Sequence, residues 1–431
     1  MIVELKTCKY PGKQEWEALQ RRAEEDVSPL FDMVRNILED VRRNGDEAVR
    51  KYGERFDKVY VADLSVSQEE MEEAETLIDK ELMYAMIEAK RNIEMFHAHQ
   101  YFDRGKTEIK PGITCWQKSV AIEKVGLYIP GGTAPLFSTV LMLAVPAVMA
   151  GCKEVALCTP PNSEGKVHPA ILYAAKLAGV SKIVKAGGVQ AIAAMTYGTE
   201  SVSKVYKIFG PGNQYVVAAK QLVSLTDVAI DMPAGPSEVE IIADEAANPA
   251  YVAADFLAQA EHGTDSQSVL VTTSETLVEA VKVEIEKQLS ELPRRDFIEK
   301  SLLHSRIIIL KDDAEMIEFT NQYAPEHLII QTANYVELSS GVVNAGSVFL
   351  GPYTTESAGD YASGTNHTLP TKGYAKMYSG VNLDSFMRKI TFQEITEEGL
   401  RTLASTIEVM AENEQLLAHR NTVTVRVGNK Q

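Results

Sequence analysis

The first hundred residues place apolar side chains at helical spacing. Apolar residues recur every three or four positions at Leu30, Val34, Ile37, Leu38 and Val41. This spacing predicts an amphipathic helix with one buried face, and Asn44-Gly45 is predicted to break it. Ser67 followed by Glu70 fits a capping box at the start of a later helix. The pattern therefore predicts a helical scaffold.

The pattern then changes to short apolar runs that alternate with helix-like segments. These segments lie at 126–129, 136–150, 155–159, 168–178, 182–185, 190–197, 205–209 and 215–223. A second run of predicted strands lies at 238–243, 268–272, 306–310, 327–331 and 347–350. Alternation at this spacing predicts parallel strands joined by crossover helices. The predicted fold class is α/β, with two Rossmann-like domains and small helical or extended segments at both ends.

The same pattern predicts four parts along the chain. Residues 1–27 form an N-terminal helical segment, and residues 128–237 form an inserted nucleotide-binding domain. Residues 28–127 are predicted to join residues 238–380 as one discontinuous α/β domain, which includes a long functional loop at 351–380. Residues 381–431 form a tail too small to bury much surface alone, so we expect it to pack on a partner subunit.

Three glycine-rich turns follow predicted strands of the inserted domain. They are 130–134 (PGGTA), 186–190 (AGGVQ) and 210–213 (GPGN). Glycine lets the backbone approach a phosphate, and the N-terminus of the following helix favours its charge, although glycine makes ordinary turns as well. Asp231 lies at the distance that a dinucleotide fingerprint requires, but Tyr215 replaces its third glycine. The standard fingerprint is therefore not satisfied.

Composition narrows the range of partners. The chain of 431 residues carries a formal net charge of -17, which argues against nucleic acid or an anionic membrane as the main partner. The start of the sequence lacks the pattern of a secretory signal, and the apolar run 140–150 is too short to span a bilayer. Cys8, Cys115, Cys152 and Cys158 form no CxxC pair and are interpreted as reduced, mostly buried thiols. We expect a cytoplasmic protein.

Candidate chemistry lies in the second half of the chain. Gln259 and His262 stand three residues apart on a predicted helix that Gly263 ends, close enough to hold one ion, although such a pair is more often a polar face. Asp360 and His419 could complete an N/O metal set, but their spacing is too dispersed to establish it. Glu326 and His327 offer adjacent bases where a loop enters a strand.

Several longer motifs together carry a specific resemblance. They are GLYIPGGTAPLFS (126–138), IFGPGN (208–213), MPAGPS (232–237), AQAEHG (258–263), APEH (324–327) and GTNH (364–367). In this order they closely resemble the histidinol dehydrogenase family, from about residue 29 to residue 425. The resemblance implies an aldehyde-dehydrogenase-like architecture and an oxidation of L-histidinol, through L-histidinaldehyde, to L-histidine with two NAD⁺, the final step of histidine biosynthesis.

The resemblance also implies roles for residues at matching positions. It implies one Zn²⁺ per subunit, held by Gln259, His262, Asp360 and His419. It implies catalytic roles for Glu326 and His327, and it assigns substrate contacts to the zinc ligands and to Ser237, His327, His367 and Glu414. It assigns NAD contacts to Tyr128, Gln190 and Asn213. Members of the family are homodimers, and Glu414 and His419 would reach the active site of the neighbouring subunit from the tail.

Under this interpretation zinc would hold the imidazole and amine of the substrate and so place its alcohol carbon against the nicotinamide. His327 would take the hydroxyl proton, and Glu326 would activate the water that hydrates the aldehyde. Two alternatives remain: a thiol-type aldehyde dehydrogenase, which needs one of Cys115, Cys152 or Cys158 over the nicotinamide, and a non-enzymatic zinc-dependent imidazole-binding protein. A related amino alcohol could also be the substrate.

Overall fold

The computed structural model describes residues 5–22, 27–101, 105–131, 134–233 and 235–428. Gly132 and Thr133 of the first glycine-rich turn, and Ala234 of the MPAGPS motif, lie outside these ranges. In the described part of the chain, no helix is long and apolar enough to cross a membrane.

Strands and helices alternate over most of the chain. The strands are β1 (Lys6–Lys9), β2 (Lys106–Lys110), β3 (Ile113–Ala121), β4 (Lys124–Tyr128), β5 (Glu154–Thr159), β6 (Lys182–Lys185), β7 (Lys207–Phe209), β8 (Ala229–Ile230), β9 (Glu238–Ala243), β10 (Gln267–Thr272), β11 (Arg306–Ile309), β12 (His327–Gln331), β13 (Ser347–Leu350) and β14 (Met387–Ile395). The helices are α1 (Lys13–Leu19), α2 (Phe31–Phe56), α3 (Gln68–Thr76), α4 (Lys80–Ala98), α5 (Phe137–Ala150), α6 (Pro169–Ala178), α7 (Gly188–Tyr197), α8 (Gln214–Ser224), α9 (Pro249–Ala260), α10 (Glu275–Leu289), α11 (Arg295–Leu302), α12 (Asp313–Tyr323), α13 (Tyr335–Ser339), α14 (Glu356–Tyr361), α15 (Glu397–Asn413) and α16 (Leu417–Val427). Short 3₁₀ turns lie at Ser28–Leu30, Tyr374–Lys376 and Leu383–Phe386.

A five-stranded parallel sheet forms the first layer, in the order β6-β5-β4-β7-β8. Helices α5 and α6 cover one face and α7 and α8 the other, as the alternating pattern predicts. The N-terminal helices extend both helical layers, because α2 packs on α7 and α8, α3 on α6 and α4 on α5. We expected residues 28–127 to join residues 238–380, and this packing differs from that expectation. The apolar stripe of α2, which includes Val34 and Val41, shares a core with Val189 and Ile192.

A six-stranded parallel sheet forms the second layer, in the order β1-β11-β10-β9-β12-β13. Its strands are apolar on both sides, since α9, α10 and α11 cover one face and α1 and α12 cover the other. Strand β1 pairs in parallel with β11, so the predicted helical segment 1–27 contains an edge strand as well as a helix. Arg22 of this segment is partly exposed; it forms an ion pair with the buried Glu238 and stacks on the ring of Tyr323.

A three-stranded antiparallel sheet, in the order β14-β3-β2, links the tail to the rest of the chain. Leu383 and Phe386 are buried beside α5 and anchor the start of the tail. Helices α15 and α16 then pack mainly on each other and expose Val409, Met410 and Leu417. The tail therefore presents apolar side chains that the described residues of its own chain leave exposed.

Local signals in the sequence correspond to local structure in several places. Gly45 interrupts α2 with φ 53°, and Ser67 and Glu70 form the expected capping box of α3. The two tail helices are separated by a break after Asn413. Helix α14 lies within the stretch 351–380 that we predicted as a loop. Six residues are too few to show helical periodicity in a sequence.

Candidate active site

The candidate catalytic residues lie at the amino edge of the six-stranded sheet. Ser237 directly precedes β9, and His327 opens β12, opposite Val239 of β9 and Ser347 of β13. Helix α9 runs back across the sheet and ends at Ala260, which brings Gln259 to the same edge. In parallel α/β sheets, ligands usually lie at the carboxyl edge. The glycine-rich turns of the five-stranded sheet lie at its carboxyl edge, as this rule predicts. Ser237, Gln259 and His327 lie at the opposite, amino edge of the six-stranded sheet.

Glu326 is buried and held by two donors. The Ser237 hydroxyl donates to its Oε2 at 2.6 Å, and the backbone N–H of Glu238 donates to the same oxygen at 2.9 Å. Burial raises the pKa of Glu326 to about 8, against the effect of these two hydrogen bonds. Neither donor uses Oε1, so the carboxyl group is oriented while one oxygen stays available.

His327 is buried among carboxyl groups. Its Nδ1 lies 3.4 Å from the carbonyl oxygen of Glu238 and 3.7 Å from both Glu326 Oε2 and Glu356 Oε1. Its Nε2 lies 3.8 Å from Asp360 Oδ1 and has no hydrogen-bond partner among the described residues. Burial lowers the pKa of His327 to about 3, and the nearby His262 adds to this effect. The imidazole is therefore neutral at neutral pH, and its Nε2 is not engaged by another described residue.

Three candidate ligands of a metal ion converge beside His327. One nitrogen of His262 and carboxylate oxygens of Glu356 and Asp360 lie within 4.8 Å of one another. Gln259 is fully buried, and neither its oxygen nor its nitrogen has a hydrogen-bond partner in the described part of the chain. The carboxyl end of α9 adds the negative end of a helix dipole, which favours a cation. This donor set fits a metal ion.

The local geometry of Gln259 and His262 differs from the expectation of one continuous helix. The helix ends at Ala260, and the backbone N–H of His262 donates to the carbonyl of Gln259 at 3.2 Å in the turn that follows. His262 Nδ1 lies 3.3 Å from the hydroxyl of Ser237, and its Nε2 lies 3.9 Å from Asp360 Oδ2. Both residues still lie at the same edge of the sheet, because this turn directly follows the end of α9.

Glu356 is a residue that sequence reasoning missed. It is buried, both of its carboxylate oxygens lack a hydrogen-bond partner among the described residues, and burial raises its pKa well above the ordinary value. It opens α14 one helical turn before Asp360, so the two carboxyl groups share one face. The i, i+4 spacing of the two acids was the signal available in the sequence. Burial also raises the pKa of Asp360, to about 7.

The remaining candidate substrate contacts divide into two groups. His367 lies in the site, where its Nδ1 is 3.0 Å from the carbonyl of Asp360 and its Nε2 is 3.2 Å from the Thr139 hydroxyl. Glu414, which caps α15, and His419, in α16, are exposed, and neither lines the cavity that contains Glu326, His327 and Asp360, which we call the catalytic cavity. A single chain therefore does not bring the two tail residues to the other site residues.

A separate cavity of about 810 Å³ lies at the carboxyl edge of the five-stranded sheet. Tyr128, Gln190 and Asn213, the candidate cofactor contacts, all line it. Tyr128 is buried at the end of β4, and its hydroxyl accepts a hydrogen bond from the Gly188 N–H at 3.0 Å. Gln190 is buried with its Oε1 unpartnered in the described structure, and Asn213 caps α8. The structure thus brings these three residues together.

The cofactor cavity adjoins the catalytic cavity. The catalytic cavity has a volume of about 520 Å³ and is lined by Glu326, His327 and Asp360. Gly131 and Ala134 line both cavities, so a ligand that fills the larger one can extend one end towards His327.

Asp231 does not occupy a ribose-binding position. Its carboxylate forms a buried ion pair with Lys220 at 2.5 Å and accepts the N–H of Gly210 at 2.8 Å. This agrees with the interpretation that the GPGN turn is not a standard dinucleotide fingerprint.

The cysteines do not form a nucleophilic site. Cys115, Cys152 and Cys158 are absent from the linings of both cavities, and burial raises the pKa values of Cys152 and Cys158 to about 11 and about 12. A thiol with a raised pKa is a poor source of thiolate at neutral pH. The thiol-type alternative therefore has no support in this geometry.

Comparison with known proteins identifies close relatives. The profile of the family described as histidinol dehydrogenase matches residues 20–427. A histidinol dehydrogenase of Bacteroides fragilis is 64% identical over 423 residues, which is 98% of this chain and 99% of that protein. One from Escherichia coli strain K12 is 50% identical and covers 99% of this chain and 97% of that protein. The crystal structure of histidinol dehydrogenase from Elizabethkingia anophelis superposes with a TM-score of 0.97 at 51% identity, over 98% of each chain.

Proposed function

This chain belongs to the histidinol dehydrogenase family and is an NAD-dependent oxidoreductase of histidine biosynthesis, and from that premise we propose how its residues carry out the reaction. The α/β fold class is also confirmed by the match to a solved histidinol dehydrogenase. The substrate would be L-histidinol, oxidised through L-histidinaldehyde to L-histidine. NAD⁺ supplies the hydride acceptor for each of the two oxidations. The observation that carries the proposal is the convergence of Glu326, His327 and Asp360 at one cavity that adjoins the cofactor cavity.

In the first oxidation, His327 acts as the general base. The alcohol loses a hydride from carbon and a proton from oxygen, and the proton passes to the imidazole. Support comes from the neutral state of His327 and from its unpartnered Nε2. Such a base contributes about 10²–10⁴-fold to the rate.

In the second oxidation, Glu326 acts on water. In its ionised form, which a pKa of about 8 makes available towards alkaline pH, it takes a proton as the water oxygen adds to the aldehyde carbon. The hydrate anion then gives its hydride to the second NAD⁺, and the acid product releases a further proton to solvent. The Ser237 hydroxyl and the Glu238 N–H fix the orientation of the carboxyl group. The thiols take no part, because the hydrate replaces a thioester intermediate.

We assign one zinc ion per subunit to Gln259, His262, Asp360 and His419. The unpartnered side chain of buried Gln259 and the convergence of His262 with Asp360 support this assignment. Zinc bound there would supply a Lewis-acidic template for the imidazole and amine of the substrate. Ser237, His367 and Glu414 would complete the substrate contacts.

A homodimer follows from the assignment of tail residues. His419 and Glu414 are exposed and do not line the catalytic cavity of their own chain, and α15 and α16 expose apolar side chains. We propose that the tail of each subunit reaches the site of its neighbour. The four free cysteines are also consistent with a cytoplasmic location, which we propose on that ground.

The number of NADH molecules formed per molecule of limiting L-histidinol tests the function. The assay uses zinc-loaded protein and excess NAD⁺, and the expected number is two. One NADH would mean that the aldehyde escapes and that the role of Glu326 is wrong. No NADH, with binding of L-histidinol retained, would indicate another amino alcohol as the substrate or a binding protein.

A further inference from the structure

An acidic side chain of the cofactor cavity has no role in the proposed mechanism. Asp57 caps the carboxyl end of α2 and lines this cavity beside Gln190, whose Nε2 donates to Asp57 Oδ2 at 3.4 Å. Among the lining residues that the structure describes, Asp57 is the single carboxylate, and none is a lysine or an arginine. Burial raises the pKa of Asp57 to about 6, so the group is mostly ionised at neutral pH.

Asp57 lies at the end of the cavity that is formed by β5 and α7. A Cβ atom placed on Gly187 would lie 3.4 Å from Asp57 Oδ1 and 2.6 Å from Pro160 Cβ. Pro160 directly follows β5, and Gly187 caps the N-terminus of α7. Asp57 does not line the catalytic cavity, which adjoins the cofactor cavity at Gly131 and Ala134. A dinucleotide with its nicotinamide near His327 would therefore place its other nucleoside near Asp57.

The strand order indicates which part of a dinucleotide would lie at this end of the cavity. With β4 as the first strand, the order β6-β5-β4-β7-β8 matches that of dinucleotide-binding sheets. In those sheets an acid near the end of the second strand accepts hydrogen bonds from the ribose hydroxyls of NAD. The second strand here is β5, and the residues after it, Pro160-Pro161-Asn162, contain no acid. Asp57 brings a carboxylate to this position from a helix outside the βαβ units.

We propose that Asp57 binds the adenosine ribose hydroxyls of the cofactor and is the residue that excludes the 2′-phosphate of NADP. The proposal rests on the assignment of Tyr128, Gln190 and Asn213 as cofactor contacts. A carboxylate accepts hydrogen bonds from the hydroxyls of NAD, whereas a 2′-phosphate would remove one donor and place a second anion beside it. Among the described residues, no lysine or arginine lines the cavity to offset that repulsion.

The test compares Asp57→Asn and Asp57→Ala with the wild type and with Glu54→Gln. Glu54 is exposed on the last turns of α2 and does not line the cavity, so its substitution removes one charge from the same helix end. The assays measure kcat and KM for NAD⁺ and NADP⁺ with L-histidinol, and the affinities for NADH and NADPH in calorimetric titrations without turnover.

We expect Asp57→Ala to raise the KM for NAD⁺ by about tenfold or more with little change in kcat, since a hydrogen bond to a charged group is lost. Asp57→Asn should lower the preference for NAD⁺ over NADP⁺ by at least about tenfold, because the repulsion of the phosphate is removed. The Glu54→Gln variant should retain the values of the wild type.

The proposal is overturned if Asp57→Asn and Asp57→Ala both keep the wild-type preference for NAD⁺ over NADP⁺ and the wild-type affinity for NADH. That result is distinguishable from failure of the proposed function, because the NADH yield per L-histidinol is measured separately on the wild type. If circular dichroism shows that Asp57→Asn does not fold, the same ratios are read from Asp57→Ser, which leaves Gln190 a hydrogen-bonding partner. If Asp57→Ser folds and keeps the wild-type preference for NAD⁺ over NADP⁺, the proposal is also overturned.

Discussion

Two carboxyl groups, those of Glu326 and Glu356, lie at the same distance of 3.7 Å from His327 Nδ1. They differ in their hydrogen bonds. Glu326 is held by Ser237 and Glu238, whereas both oxygens of Glu356 lack a partner among the described residues. An oriented carboxyl group suits proton transfer, and an unpartnered buried one suits interaction with a cation. Substitution of each residue by glutamine separates these roles.

Glu326→Gln should lower the NADH yield from two towards one per L-histidinol. The amide oxygen of glutamine can still accept the hydrogen bonds of Ser237 and Glu238, but the amide cannot take a proton from water. We expect turnover of L-histidinaldehyde to fall by about 10²–10⁴-fold. Glu337→Gln, an exposed position on α13, is the control. An unchanged rate with the aldehyde would exclude Glu326 as the base.

Gln259→Leu and Glu356→Gln decide which residues hold the metal. If the zinc ligands are Gln259, His262, Asp360 and His419, Gln259→Leu should weaken zinc binding by more than about tenfold. Glu356→Gln should then retain one zinc per subunit. Both are measured by elemental analysis after dialysis and by competition with a chromophoric chelator. The reverse result would assign the ion to His262, Glu356 and Asp360, the three groups that converge within one chain.

At the scale of elements, the turn that joins β7 to α8 depends on one glycine. Gly210 has φ 121°, and a Cβ atom there would lie 2.0 Å from the carbonyl oxygen of Tyr128, a backbone atom that cannot move aside alone. Gly151, at the end of α5, also has a positive φ of 89°, but its Cβ would meet only Ala121 at 3.8 Å. Alanine substitutions at Gly151 and Gly210 therefore separate the cost of a positive φ from the cost of a steric clash.

Gly151→Ala should destabilise the protein by about 1 kcal/mol, and Gly210→Ala should destabilise it by clearly more. The second variant should also raise the KM for NAD⁺, because Tyr128 lines the cofactor cavity. Urea unfolding and steady-state kinetics measure these changes. If Gly151→Ala and Gly210→Ala lose the same amount of stability, the predicted clash at Gly210 is contradicted.

Strand β9 carries a buried acid away from the active site. Glu240 accepts a hydrogen bond from the Thr320 hydroxyl on α12, and burial raises its pKa to about 8. Because this value exceeds that of the unfolded chain, the folded state binds more protons between the two pKa values. This group therefore makes stability fall as pH rises through about 4.5 to 8.

Glu240→Gln should remove this loss. Relative to the wild type, the variant should gain stability as the pH is raised from about 6 to about 9. Thermal unfolding at the two values measures the difference, and Glu279→Gln, an exposed position on α10, serves as the control. A constant difference between the variant and the wild type across this range would contradict the assignment.

The sequence predicted elements well where apolar runs have clear limits. The predicted bounds of β6, β9, β12 and β13 agree with the structure because turn residues or charged residues border each buried run. The face on which α2 packs could not be predicted, since an apolar stripe fits any apolar sheet face. The convergence of His262, Glu356 and Asp360 also depends on the direction in which α9 and α14 return to the sheet edge. Spacing along the chain does not contain that information.

At the scale of the whole molecule, the proposed active site requires two subunits. A mixture of inactive His262→Ala and inactive His419→Ala subunits, refolded together, should regain activity, because a mixed dimer has one site in which both substitutions lie elsewhere. Random pairing makes half of the dimers mixed, each with one intact site, so about a quarter of wild-type activity is expected. The activity of the mixture is compared with that of each variant refolded alone. Mixed dimers that form but show no activity would falsify the proposal that the tail reaches the neighbouring active site.

The packing of α2, α3 and α4 on the five-stranded sheet has a consequence for recombination. A gene segment that encodes residues 128–237 resembles a portable cofactor module when only its strands and helices are counted. Its first strand, β4, begins before the segment, and the helices that complete its layers are encoded between residues 31 and 98. Chimaeras with breakpoints at 128 and 237 would pair this segment with foreign helices. Breakpoints that keep residues 31–98 and the five-stranded sheet from one parent would preserve those contacts.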